Sequence, residues 1–372
     1  MSAAGERHPR VLLACDFHLR YSARLAGGLR RAGAEVALLT RDHDREFGGE
    51  PGAAQRFVRE AIGTDGAHRA LPGRVRSPRG WLEAVRLRRR YRAFAPEVVH
   101  LQESVGNDPR LLLAAGIRPR RYALTIHDPS PHPGDAVPRH DPLFNRALAR
   151  GAGLIFTHGE ALREELLARL APRAPVVVVP HGIESAEVAP LPSRPSILFF
   201  GRISRYKGLD VLLDAMAAVW AAVPEATLIV AGEGKIAPHP ALADPRVEVR
   251  SGFLPDARLP ELFAGATCVA LPYLQASQSG VGSLAKPHGR ALVVSAVGGL
   301  PELVSDGSGL VVPPRDAPAL AAALVSLLRD PQLARRLGRA GAETAARAGS
   351  WDAVAKLTLA AYREHLPLGA GR

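Results

Sequence analysis

Phe199-Phe200-Gly201-Arg202-Ile203-Ser204-Arg205-Tyr206-Lys207-Gly208 is the stretch on which the reading of this chain turns. The apolar run Ser196 to Phe200 before it reads as a buried strand. Leu209, Leu212, Leu213, Met216, Val219 and Trp220 after it recur at three- and four-residue spacing and mark one face of a helix. An arginine and a lysine therefore fall in a strand-to-helix turn, where an open α/β sheet collects its ligands. The free N–H groups of a helix start attract anions, and two cations beside them suit a diphosphate.

Lys207 carries extra weight because lysine is scarce. Of 48 Lys plus Arg, only four are lysines: Lys207, Lys235, Lys286 and Lys356. Arginine is the default cation of this chain, and a compact ammonium suits a phosphate oxygen as a point charge. The competing reading is a solvated surface lysine.

At 372 residues the chain is long enough for two domains, each with its own core. An apolar content of 47% and a charged content of 23% are those of a globular protein. Cys15 and Cys268 lie far apart in apolar, strand-like runs and read as reduced core residues, not as a disulfide frame or a metal site. No apolar stretch approaches the roughly 18 residues of a membrane span, and the residues before the first strand lack a signal peptide's apolar core. A cytoplasmic location is expected.

The net charge is +12. Between Arg74 and Arg92 lie eight arginines and one acid, Glu83. Trp81, Leu82, Val85, Tyr91 and Phe94 are expected to share a helical face there with arginines beside them. That pattern fits a helix on an anionic membrane surface at the inner face, and equally a solvated helix in an arginine-rich chain. Nucleic acid is not an expected partner. Aromatics are only 5%, and neither a zinc-finger spacing nor an aromatic RNA-binding motif is present.

Strands are expected at 11–14, 35–40, 97–101, 122–126, 153–157 and 176–179, and helices at 20–32, from Trp81 and from Glu160. The polar, glycine-rich stretch up to Gly80 specifies little. Prolines 190, 192 and 195 mark a linker over 181–195. The alternation restarts with strands at 197–200, 227–231, 247–250, 268–271, 292–295 and 310–312, and three helical segments close the chain. The fold class is α/β, with two doubly wound, Rossmann-like domains facing across a cleft. Expected boundaries are 1–190, 191–348 and a terminal helix, 349–372, returning to the first domain.

Two further clusters join the Arg202/Lys207 turn. Residues 272–290 run from a strand end through a loop with Gln278, Ser279, Gly280, Val281 and Gly282 into a short helix. Glycines 280 and 282 let backbone approach a ligand. Gln278 and Lys286 are eight apart, about two helical turns, so both are expected on one side. Val297-Gly298-Gly299-Leu300-Pro301-Glu302 is a turn at a helix start, with Pro301 placed for the first turn. Three such loops at one sheet edge point to a nucleoside-diphosphate site.

The second half resembles the donor-binding domain of the retaining family 4 glycosyltransferases, the glycogen-synthase-like branch of the GT-B fold. The carrying segments are Gly201-Arg202-(x)4-Lys207-Gly208, Ala231-Gly232-Glu233-Gly234, the Gln278 loop, Gly298-Gly299-Leu300-Pro301-Glu302 and Gly309-Leu310-Val311-Val312-Pro313, over residues 195–350. The resemblance implies that Arg202 and Lys207 hold the donor diphosphate and neutralise it as it leaves. It implies donor contacts from Gln278, Ser279, Gly280, Val281, Lys286, Gly299 and Glu302. The family's Glu-x7-Glu positions fall here on Gln278 and Lys286. Gln278 can bond a sugar hydroxyl, whereas Lys286 accepts no hydrogen bond from a ribose. That departure marks a Gln-Ser-Gly-Val subfamily, or else lost activity.

In the first half, His127-Asp128 follows a strand within Thr125–Gly134. Related transferases place a His-Asp here with the histidine near the donor sugar, which makes His127 the catalytic candidate. The alternatives are a loop histidine packed on prolines and a metal site of His127, Asp128 and His132, whose spacing matches no strong pattern. Asp42-His43-Asp44 looks like the metal-binding Asp-x-Asp of another transferase fold but follows the second strand of this architecture, and reads as a polar loop. Glu233 reads as a turn residue. No dinucleotide fingerprint, nucleophile elbow or P-loop is present.

The implied activity is a retaining, metal-independent transfer of a hexosyl group from a UDP- or GDP-sugar to a hydroxyl of a glycan, glycolipid or small-molecule glycoside. No cofactor is expected. A non-catalytic GT-B nucleotide-binding partner and a sugar-nucleotide 2-epimerase are the rivals.

Overall fold

The computed structural model describes residues 9–41, 47, 49–63, 68–72, 77–103, 108–128, 142–276 and 278–368. Asp42-His43-Asp44 and His132 lie outside them. The described chain divides into two compact units, one running to Gly182 and resuming at Trp351, the other spanning Ile183–Ser350.

The first unit alternates β1 (Arg10–Cys15), α1 (Leu19–Arg31), β2 (Glu35–Arg41), α2 (Ala53–Ile62), β3 (His68–Leu71), α3 (Pro78–Phe94), β4 (Val98–Gln102), α4 (Pro109–Ala115), β5 (Tyr122–Thr125), α5 (Pro142–Gly151), β6 (Leu154–Thr157), α6 (Glu160–Leu170) and β7 (Val176–Val178). Its seven strands form one parallel sheet in the order β3-β2-β1-β4-β5-β6-β7. Alternate residues leave opposite faces. Val11, Leu13 and Cys15 join a core with α1 and α2, and Leu12 and Ala14 join another with α3 and α4.

The second unit contains β8 (Ser196–Phe200), α7 (Leu209–Ala222), β9 (Thr227–Gly232), β10 (Val247–Ser251), α8 (Leu259–Ala264), β11 (Cys268–Leu271), α9 (Gly280–Ala285), β12 (Ala291–Ser295), α10 (Leu300–Leu303), β13 (Gly309–Val312), α11 (Ala317–Arg329) and α12 (Pro331–Arg347). Its six-stranded parallel sheet runs β10-β9-β8-β11-β12-β13. Leu209, Leu212, Leu213, Met216 and Val219 of α7 are buried against it, as their spacing requires. The closing helix α13 (Trp351–His365) belongs to the first unit. Trp351, Val354, Ala355, Leu359 and Tyr362 pack in the α1 core, and a Cβ on Gly28 would stand 2.5 Å from the Trp351 carbonyl oxygen.

Two expectations need correction. The stretch before Gly80 holds α2 and β3. Secondly, the apolar residues of α3 divide between two faces. Tyr91 is buried with Ala84 and Leu87, whereas Trp81, Leu82 and Val85 are 38%, 61% and 41% exposed on the opposite side. A 100° step per residue makes this division unavoidable once Leu87 and Tyr91, four apart, turn inward.

Candidate active site

Both sheets reverse their strand order beside the strand that opens the unit, β1 next to β4 and β8 next to β11. Chains leaving such neighbours diverge, so the carboxyl edge between them is open to ligands. In the second unit that edge carries the Arg202/Lys207 turn.

The turn is held by two glycines of positive φ where a side chain would also collide with its neighbours. Gly201 has φ +105°, and a Cβ there would lie 2.9 Å from Lys207 Nζ and 3.0 Å from Val281 Cγ2. At Gly208, φ +68°, a Cβ would come within 2.0 Å of the Pro272 carbonyl oxygen. Ile203 N–H donates to the Glu233 carbonyl at 2.7 Å, and Leu274 N–H to the Tyr206 carbonyl at 2.7 Å. The loops after β8, β9 and β11 are thereby stitched together. Glu233 is an exposed turn residue in that seam.

Lys207 folds inward from the turn and is 7% exposed. Its Nζ stands 5.3 Å from the centroid of the Tyr273 ring. No hydrogen bond or ion pair holds that ammonium among the described residues. Burial, with the nearby charge of Arg202 second, pulls its pKa from 10.5 down to about 8. Arg202 itself is exposed. Two adjacent cations, the buried one without an acid among the described residues, form a site built for an anion.

Tyr273 leads to the next loop. Its hydroxyl is 3.3 Å from Ser279 Oγ, and Ser279 caps α9 by accepting from Gly282 N–H at 3.2 Å. Val281 is buried against Gly201, so its backbone is what it offers a ligand. Gly280 is open, with nothing within 4 Å of the place a methyl would take, and can admit a ligand. Gly282 differs from expectation: a Cβ would lie 2.3 Å from Leu303 Cδ2, so its smallness serves internal packing. Gly299 caps α10 and Glu302 lies exposed in its first turn.

Lys286 is the clear departure. It does not share a two-turn face with Gln278, because α9 covers only Gly280–Ala285. Gln278 precedes the helix and Lys286 follows it, separated by a helix about 9 Å long. The Lys286 ammonium is 2.8 Å from Asp306 Oδ2 and donates to the Leu303 carbonyl at 2.6 Å. It anchors the end of α10 and is already neutralised.

The matching edge of the first unit carries imidazoles. Glu103, buried after β4, accepts from the backbone N–H groups of His127 and of Asp128, the latter at 2.9 Å, and fixes the loop after β5. The His127 ring is stacked on His18 at 4.0 Å and meets the Tyr21 ring edge-on at 4.9 Å. His158, after β6, and His181, after β7, complete the cluster. Burial drives His127 well below its ordinary range and His158 down to about 3, so both are neutral. His18, held at φ +63°, His158 and His181 were not singled out in the sequence. The signal was available, since each follows a strand of one alternation.

Two family models cover most of the chain. "Glycosyltransferase Family 4" matches residues 20–187 and "Glycosyl transferases group 1" matches 194–330. The chain belongs to the family 4 glycosyltransferases. A D-inositol 3-phosphate glycosyltransferase from Segniliparus rotundus is 37% identical over 195 residues, covering 50% of this chain and 43% of that one. A glycogen synthase from Mycobacterium tuberculosis is 28% identical, covering 73% of this chain and 69% of that one. The chain thus spans under half of the first relative and about two thirds of the second. Its fold is GT-B. Sucrose-phosphate synthase from Thermosynechococcus elongatus superposes with a TM-score of 0.70 at 20% identity, covering 96% and 99% of the two chains. Anabaena HepE, solved with UDP-glucose, gives 0.71 at 16% identity, covering 96% and 100%.

Proposed function

We propose that the protein moves a hexosyl group from a nucleotide-diphosphate sugar, UDP- or GDP-linked, to an acceptor hydroxyl, with retention at the anomeric carbon and without a metal. The carrying observation is the buried ammonium of Lys207, with no acid partner among the described residues, beside Arg202 at the open edge of the second sheet. Breaking the anomeric bond leaves charge on a diphosphate. Fixed cations aimed at that charge are the largest catalytic contribution available here. Gln278, the Gly280 backbone and Glu302 are the donor-loop groups assigned to the ligand in this reading, while Ser279 and Val281 hold the loop's shape and Gly299 starts α10. Lys286 has no direct donor role in this reading.

The relatives' names point to acceptors as different as an inositol phosphate and glycogen, so the acceptor is assigned only as a glycan, glycolipid or small-molecule glycoside. Thermal shift with UDP, GDP, ADP and dTDP tests the donor. A selective rise with one nucleotide supports the reading, and no rise with any of the four refutes it. Turnover should persist in excess EDTA. Loss that Mn²⁺ or Mg²⁺ restores would count against a metal-free reaction.

A peripheral membrane location, on the inner face and reached from the cytoplasm, is favoured by α3. Its outward side carries Trp81, Leu82 and Val85 among exposed Arg79, Arg86, Arg89 and Arg92, with Glu83 paired to Arg86 at 3.4 Å. Apolar side chains ringed by arginine match an anionic interface. Sedimentation with phosphatidylglycerol vesicles, weakened in Trp81→Ser/Leu82→Ser, would support it. Equal binding to neutral vesicles, or none to either, would overturn it.

A further inference from the structure

We propose that His158 and Gln102 are positioning residues that hold His127 as a neutral Nδ1–H tautomer with both ring nitrogens occupied. The loop after β5 then presents a fixed, uncharged surface, and the His127 ring is neither acid nor base in the reaction.

Protons can be counted along one buried chain of polar atoms. The Val179 carbonyl lies 3.1 Å from His158 Nδ1. His158 Nε2 lies 3.1 Å from His127 Nδ1. His127 Nε2 lies 2.8 Å from the side-chain amide atom of Gln102 placed as Oε1. The Val179 carbonyl only accepts, so His158 carries its proton on Nδ1. A neutral His158 then has a lone pair on Nε2, which accepts from His127 Nδ1–H. A neutral His127 is left with a lone pair on Nε2, and it needs a donor from Gln102.

Placing the Gln102 oxygen toward His127 would set two acceptors face to face. It would also leave the Gln102 amide nitrogen buried with no partner among the described residues. Turning the amide by 180° answers both problems, since its nitrogen then donates to His127 Nε2. Oxygen and nitrogen of an amide are assigned by such networks. The alternative is an imidazolium in the chain. The groups facing it are His18, Tyr21, His100, Glu103, Asp128 and His181. Glu103 accepts the backbone N–H groups of residues 127 and 128 on the single oxygen Oε2, and the His127 ring is 7% exposed and packed on neighbouring imidazoles. Desolvation therefore decides for the neutral form.

Only the catalytic consequence rests on the transferase reading. Long-range ¹H–¹⁵N spectra of ¹⁵N-histidine-labelled protein, assigned with His127→Asn, read the tautomer directly whether or not sugar is transferred. The expected result is Nδ1–H at His127 and His158, unchanged from about pH 8 to about pH 6. His158→Gln, whose side-chain oxygen accepts from Nδ1–H, should keep it. His158→Phe should release it to Nε2–H. Gln102→Glu, which replaces the donor by a carboxylate, should raise the His127 pKa and give the donor kcat/KM an acid limb that the wild type lacks. An Nε2–H form or an imidazolium in the wild type overturns the proposal. So does an unchanged His127 in both His158→Phe and Gln102→Glu. Failure of His158→Phe to fold leaves the wild-type spectrum and Gln102→Glu to decide.

Discussion

Replacing Lys207 with methionine should make the empty protein more stable and the enzyme worse. The ammonium's pKa falls from 10.5 to about 8 on folding, chiefly through burial. At 1.36 kcal/mol per unit, holding that charge costs about 3 kcal/mol at neutral pH. Between about pH 8 and about pH 10.5 the unfolded chain binds the extra proton and the folded chain does not. Wild-type stability should therefore rise with pH across that window, and the advantage of Lys207→Met should shrink to nothing by its upper end. Below pH 8 the methionine variant should gain up to about 3 kcal/mol, or about 6–12 °C in the melting temperature of a unit this size. With UDP at a hundredfold excess over its Kd, the wild type should gain about 2.7 kcal/mol and the variant little. Turnover should drop on the order of 10²–10³-fold, as for loss of one charge-stabilising donor. Calorimetry with and without UDP, from pH 7 to pH 10.5, reads all of this. A variant less stable than wild type at pH 7, or one stabilised equally by UDP, would refute the reasoning.

Gly201→Ala should cost several kcal/mol, because a methyl would press on Lys207 Nζ and Val281 Cγ2 at a φ of +105°. Urea melts check it, and an unchanged midpoint contradicts the packing. Lys286→Ala should destabilise by about 3–5 kcal/mol through the stranded Asp306 carboxylate while leaving the donor KM of the folded fraction unchanged. A raised KM at unchanged stability would return Lys286 to the donor site. The first unit should be acid-labile. His68, His100 and His158 have pKa values lowered to about 4, 3 and 3, so the unfolded chain takes protons below about pH 6.5 that the folded unit refuses. Stability should fall by about 2 kcal/mol per histidine between pH 6.5 and pH 5, which far-ultraviolet dichroism in urea would follow.

What the sequence made legible was the part written in apolar periodicity. Strands such as Ser196 to Phe199 and Cys268 to Leu271 are buried on both faces and announce themselves as continuous runs. The α2 helix was silent because its buried side is Ala54, Val58, Ala61 and Ile62, too small to stand out among glycines and charges. Edge strand β3 has one fully buried residue, Leu71, and no alternation to detect. In the site, motif spacing located the Lys207 turn but could not tell Ser279 as a ligand from Ser279 as a cap. A hydroxyl before a helix start serves either use, and only the 3.2 Å bond from Gly282 N–H shows which is in force. The imidazole cluster was legible only by lining up strand ends. Its members come from the ends of β1, β5, β6 and β7, and nothing local ties them together.

Lys207 and Lys286 show why residue type stops short of function. Both are among four lysines in an arginine-rich chain, both lie in glycine-bearing segments beyond a strand's carboxyl end, and both are about equally buried. They differ in their partners. Asp306, twenty residues downstream of Lys286, closes a loop against β13 and brings a carboxylate to 2.8 Å. Around Lys207 the described neighbours are Tyr273, Val281 and the glycine turn, plus a second cation that makes matters worse. A paired buried charge needs nothing further, and an unpaired one is costly until an anion arrives. The binding energy of the donor diphosphate is then in part the release of a penalty built in by folding. Moving an acid to Lys207, as in Val281→Asp, should therefore stabilise the empty unit and abolish nucleotide binding together, and a variant that did only one of these would separate the two effects.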